Sequence, residues 1–117
     1  MRIASLLAKV AIGDAGAFPA AAVLRMATLG GAIALGLDRE IGSLALGKQA
    51  DAVAIDLSNV DVLPMYDPIS HLLHVVGREQ VTDVWIGGER IVDARRLTTI
   101  DENAVAARAR AWQQRLQ

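Results

Sequence analysis

Apolar residues at Ile3, Leu6, Leu7 and Val10 fall at i, i+3, i+4 and i+7, the spacing of one helical face. The pattern is already running at Met1 with no N-cap before it, so the helix is expected to start upstream, with Met1 an internal methionine read as a start. Gly13-Asp14-Ala15-Gly16 breaks the chain. Pro19 then suits the first helical position, where its missing N–H costs nothing, and Val23, Leu24 and Ala27 supply an apolar face. Thr28 is placed to cap a second short helix through Leu35, and Gly36 to end it in the left-handed conformation.

The period then changes. Ile41-Gly42-Ser43-Leu44 predicts a short strand, Leu46-Gly47-Lys48-Gln49 a turn, and Asp51–Asp56 a second strand with a β-branched centre. Asp67-Pro68 opens a helix with Ile69, Leu72, Leu73 and Val76 on its apolar face and Gly77 at its end. Val81–Ile86, Gly87-Gly88 and Glu89–Val92 predict a β-hairpin whose paired glycines supply the positive φ of a primed turn. Thr99-Ile100-Asp101-Glu102 has capping-box spacing, and Val105, Ala109, Trp112 and Leu116 follow on one face of a last helix. No internal repeat or low-complexity linker interrupts this order.

Composition narrows the reading. The 117 residues are 53% apolar but only 3% aromatic, with mean hydropathy +0.33. Either small aliphatic residues build the core, or some apolar surface awaits a cover. Twelve Lys and Arg against 13 Asp and Glu leave a formal charge of −1, without the field or stacking residues of a nucleic-acid or anionic-membrane partner. The absence of cysteine excludes disulfides, zinc knuckles and thiol catalysis, and fits a cytoplasmic protein. Lys9 and Asp14 interrupt the first apolar stretch, too short for a signal peptide, and no run reaches the ~20 apolar residues of a membrane span.

Candidate chemistry is thin. Asp67, His71 and His74 share a helical face, a conceivable metal site, but Asp67 is committed as a cap and two imidazoles fall short of the usual ligand count. Gly42–Lys48 resembles a phosphate-binding loop, yet Gln49 stands where Ser or Thr would bind magnesium and a strand follows in place of a helix. Leu29-Gly30-Gly31-Ala32 has no preceding strand and is no dinucleotide fingerprint. Ser43, Ser58 and Ser70 lack a nucleophile elbow, and Asp51, Asp56 and Asp61 read as solvated strand ends. No catalytic, substrate-binding or metal-binding residue is assigned.

Two segments carry a resemblance. Met26–Leu37 (Met-Ala-Thr-Leu-Gly-Gly-Ala-Ile-Ala-Leu-Gly-Leu), then Ile41–Asp51 (Ile-Gly-Ser-Leu-Ala-Leu-Gly-Lys-Gln-Ala-Asp), resemble the C-terminal signature of the amidohydrolase superfamily. The Val81–Val92 hairpin resembles the strand–Gly–strand that follows it there. Met1–Lys9 and Tyr66–Ser70 look most like the chlorohydrolase/deaminase branch, which includes 5-methylthioadenosine/S-adenosylhomocysteine deaminases and triazine hydrolases.

The resemblance implies an α/β fold made of the C-terminal part of a metal-dependent hydrolase. Residues 1–37 would be the last helices of a (β/α)8 barrel, 38–98 the C-terminal part of a small β-sandwich with an inserted helix near 67–76, and 99–117 a terminal helix. It implies a zinc or iron ion in the complete enzyme, where the metal lowers the pKa of bound water for attack on an amidine-like carbon. The metal ligands, a His-x-His pair, two further histidines and an aspartate, have no counterparts here. The chain therefore reads as an inactive C-terminal fragment of an enzyme that deaminates a cyclic amidine of adenosine or triazine type. The alternatives are a stand-alone scaffold or binding module, or a half-enzyme completed by a separate barrel chain. A homo-oligomer is expected, through apolar stripes on 1–10 and 19–27 and through the strand edges of Asp51–Asp56 or Val81–Ile86.

Overall fold

The computed structural model describes residues 1–116. Helix α1 (Arg2–Ile12) ends at Gly13, whose left-handed φ of 71° lets its N–H reach the Lys9 carbonyl. Its packing inverts the simple amphipathic reading. Ile3, Leu7 and Val10 are 72%, 63% and 81% exposed, whereas Ser5 on the opposite side is fully buried. Ser5 Oγ donates to the Phe18 carbonyl at 3.4 Å. Arg2 Nε and Nη2 reach the Leu73 and Val76 carbonyls, both at 3.3 Å. Polar bonds thus fasten α1 to its neighbours.

The two short helices expected after Pro19 form one continuous helix. It comprises α2 (Ala20–Arg25), a π-helical turn (Met26–Gly30) and α3 (Gly31–Ala34). Pro19 is the N-cap residue, one position earlier than expected, with extended ψ of 161°. Thr28 caps nothing. It lies inside the helix, and its Oγ1 donates to the Leu24 carbonyl at 2.8 Å, so the hydroxyl is spent on the preceding turn. The C-terminus follows expectation: Gly36 has φ 71°, with Gly36 N–H on Ile33 O and Leu37 N–H on Ala32 O at 3.0 and 2.9 Å.

The strand expected at Ile41–Leu44 is absent, because this segment is a bend laid against the helix. Gly42, at φ +85°, approaches so closely that a Cβ there would stand 2.7 Å from Ala32 Cβ and 3.0 Å from Leu29 Cα. Backbone so placed has no neighbouring strand to pair with.

The sheet is antiparallel in the order β1 (Ala52–Ile55), β2 (Val81–Ile86), β3 (Glu89–Asp93), β4 (Arg96–Leu97). Val53 pairs with Val84, and Val84 with Val92. The expected hairpin is present, Gly87 and Gly88 turning it at φ 58° and 85°. Of the two strands expected at an edge, β1 is one; β2 is paired on both sides. The short β4 was not anticipated.

Helix α4 (Pro68–His74) starts as read, with Asp67 accepting from the Ile69 and Ser70 N–H groups and Pro68 in the first turn. It ends at Val75, and Gly77 instead opens a 3-10 turn (Arg78–Gln80). Helix α5 (Glu102–Arg115) is capped by Asp101, two residues later than Thr99, because its carboxylate reaches the N–H groups of Asn103 and Ala104.

The interior is small. Val23, Ala32, Val62 and Leu73 are the buried apolar side chains among the described residues, and Val23 and Leu73 lie on α2 and α4, which pack on each other. The accessible surface is 8701 Å², against about 6,100 Å² for a compact monomer of this mass. The radius of gyration is 18.1 Å, against about 13 Å for a compact chain of this length.

Candidate functional site

The helix carrying both histidines begins at a carboxylate already occupied. Asp67 Oδ1 accepts from Ile69 N at 3.3 Å, and Oδ2 from Ser70 N at 3.0 Å and from the Ser70 hydroxyl. The Ser70 hydroxyl and N–H hold its carboxyl below the ordinary value. His71 turns Nδ1 back towards the Asp67 carbonyl at 3.2 Å, and His74 is exposed. Among the described residues no group of three or more His, Cys, Asp or Glu side chains is placed to hold a metal ion. The Asp67–His71–His74 set therefore does not fit zinc or iron.

The other candidates are engaged in local structure. Asp51 Oδ1 accepts from Gly87 N at 2.7 Å and fastens the hairpin tip to the entry of β1. Asp56 accepts from the Ser58 hydroxyl and N–H at 2.6 and 2.9 Å, contacts that, with Arg95 close by, lower its pKa. Asp61 accepts from Gln80 Nε2 at 2.9 Å. Ser58 and Ser70 donate to the carboxylates of Asp56 and Asp67, which also accept from neighbouring backbone N–H groups, so both hydroxyls serve local turns. Lys48 of the phosphate-loop look-alike binds carbonyls, donating to Asp38 O and, at 3.1 Å, to Ile41 O. Ser43 lies in the same bend.

Sequence reasoning overlooked the strongest polar centres. Gln80, nearly buried, joins three segments: its Oε1 accepts from Gly77 N at 2.8 Å, its Nε2 reaches Asp61, and its carbonyl accepts from Asp56 N. Asp83 gathers Arg90 Nε at 3.1 Å, Arg90 Nη2, and Ala94 N at 3.1 Å. Adjacent Thr82, whose hydroxyl also reaches Ala54 O at 3.4 Å, acts with Arg90 and Ala94 N–H to hold the Asp83 carboxyl down to about 2. Arg90 also lies over the Trp85 ring, 5.6 Å from its centroid. Opposite charges on the two arms of a glycine hairpin were the available signal for Asp83 and Arg90. These groups secure loops and strands.

Comparison with known proteins supplies the context for a domain so sparing in chemistry. The chain is 40% identical over 116 residues to the 5-methylthioadenosine/S-adenosylhomocysteine deaminase of Teredinibacter turnerae, covering 99% of this chain and 26% of that protein. It is 41% identical over 117 residues to the enzyme of that name from Saccharophagus degradans, again 26% of its length. An adenosine deaminase from Xanthomonas campestris, solved with bound zinc, superposes with a TM-score of 0.90 at 48% identity over 97% of this chain and 26% of that one. The zinc complex of an atrazine chlorohydrolase from Arthrobacter aurescens superposes at 0.82 with 28% identity, covering 94% of this chain and 24% of its own. The chain spans about a quarter of the length of the curated relatives it matches. Residues 1–91 match the amidohydrolase family pattern, and this chain belongs to that family.

Proposed function

We propose that the chain forms the C-terminal quarter of a deaminase-type amidohydrolase and supplies scaffold to it, with no catalytic group of its own. Residues 1–37 contribute the last barrel helices, 38–98 the C-terminal sandwich strands with α4 inserted, and 99–117 the terminal helix. The complete protein hydrolyses a C–N bond of an adenosine-type or triazine-type ring, in the cytoplasm, using a metal held outside this chain. One observation carries the reading: nearly the whole chain keeps the conformation of a quarter of a zinc-bound adenosine deaminase, at 48% identity. The open shape and surplus surface support it over a self-sufficient binding module.

Complementation tests the proposal. The Xanthomonas campestris deaminase is expressed without the quarter this chain matches, with and without the 117-residue chain. Adenosine turnover is followed by the absorbance change of deamination. The expected result is no turnover by either piece and measurable turnover by the pair. Turnover by the chain alone, with one zinc retained per chain after dialysis, would overturn the scaffold reading. A pair that stays inactive although it co-purifies would overturn the deaminase assignment.

A further inference from the structure

The chain has ten arginines and two lysines, and it uses them in opposite ways. Every arginine is exposed, whereas Lys9 and Lys48 are half-buried. A strongly hydrated ammonium is ordinarily kept in water, so its partial burial calls for a specific partner. Both lysines have the same kind of partner. Lys9 Nζ donates to the Ala15 carbonyl and, at 3.1 Å, to that of Ala17. Lys48 Nζ donates to the Asp38 carbonyl and, at 3.1 Å, to that of Ile41. Among the described residues neither lysine forms an ion pair. One nitrogen thus gathers two oxygens. Arg2 bridges its carbonyls differently, Nε taking Leu73 and Nη2 taking Val76, because a planar fork spreads donors that an ammonium concentrates. The loop closed by Lys9 is also strained. Phe18 has φ 51°, costly for a bulky residue and more so before Pro19. Its carbonyl is taken by buried Ser5, one turn before Lys9 on α1.

We propose that Lys9 and Lys48 serve as internal cations, each filling a site of converging backbone carbonyls that takes a free primary ammonium ion once the side chain is shortened. The occupied site is what holds the loop. Without the ammonium, the Ala15 and Ala17 carbonyls lose the donor they share, and the strain at Phe18 is no longer balanced. In the second loop, Lys48 draws the turn that carries it back onto 38–41, where Gln49 N–H also bonds to Glu40 O at 2.8 Å. A guanidinium cannot substitute in either loop, because it is longer and its N–H groups lie in one plane. This inference does not rest on the deaminase reading, since its measurement involves no substrate.

Hydrogen exchange on the 117-residue chain reads each loop at one amide. Ala17 N–H bonds to Asp14 O at 3.1 Å within the first loop, and Gln49 N–H crosses the second. Lys9→Ala is expected to speed exchange at Ala17 about tenfold and leave Gln49 unchanged, and Lys48→Ala to do the reverse. Propylammonium, which supplies the atoms alanine lacks, is expected to return each rate to that of the parent chain. Tetramethylammonium, with the same charge and no N–H, is expected to do nothing. Lys9→Arg and Lys48→Arg are expected to exchange as fast as the alanine variants. Protection in β2 marks a folded chain. Should an alanine variant lose it, Lys9→Met and Lys48→Met keep the apolar stem and carry the same comparison with ammonium in place of propylammonium. Equal protection by both kinds of ion, protection by neither, or full recovery with arginine overturns the proposal.

Discussion

Gly42 leaves no room for a side chain. Its φ of +85° strains any L residue, and the Cβ position falls against Ala32 Cβ and the Leu29 backbone. Gly42→Ala should therefore destabilise the protein by more than about 1 kcal/mol, read as a fall in the urea midpoint at unchanged slope. At the hairpin tip a Cβ on Gly88 meets nothing closer than 3.9 Å, so its φ of +85° acts alone. Gly88→Val should also exceed about 1 kcal/mol there, through backbone strain on a β-branched residue. Asp83 sets an acid limit. Its folded pKa, about 2, lies below the ordinary 3.8, so the stability from its bonds to Thr82, Arg90 and the Ala94 N–H is present above about pH 4 and drains away towards pH 2. Urea titrations across that range should show a shallower acid decline in Asp83→Asn than in the parent chain.

At the scale of elements, helix α5 offers the clearest dynamic test. It is exposed along almost its whole length, and a lone helix of 14 residues is marginal in water. In hydrogen exchange on the 117-residue chain its amides should exchange far faster than those of α2 and β2. Legibility from sequence follows the same local logic. Asp67-Pro68, Gly36 and Gly87-Gly88 were readable because each contact is made within a few residues. Thr99 has the spacing of a cap, but the carboxylate of Asp101, two residues on, accepts from the Asn103 and Ala104 N–H groups and starts the helix there. Ile41–Leu44 looked like a strand because alternation says nothing of a helix lying across the chain at Gly42. The family was legible in the glycine and alanine spacing of 26–51, the segment where those close approaches occur.

For the whole molecule, the burial pattern inverts that of an independent domain. Few apolar side chains are enclosed, while α1 turns its apolar residues outward and its polar ones inward. Periodicity could identify the apolar face of α1 but could not say that it faces away from this chain's own interior. The candidate site was legible in the same limited way. Asp67, His71 and His74 do share a helix, and only the structure shows Asp67 fully occupied by Ile69 and Ser70.

The π-helical turn at Met26–Gly30 has a consequence for chain length. A turn of this kind holds one residue more than regular winding requires. Val23 and Ala32, nine positions apart and both buried, would point in opposite directions on an ideal α-helix; absorbing one residue brings them to about 80° of each other. The segment therefore behaves as a spacer with a spare unit. Deleting Ala27 should let the winding become regular and keep both side chains inward, whereas deleting Ala22, outside the interval between them, should rotate Val23 about 100° from its place relative to the helix start. Most helices tolerate no loss of a single residue, and this one has a specific place for it.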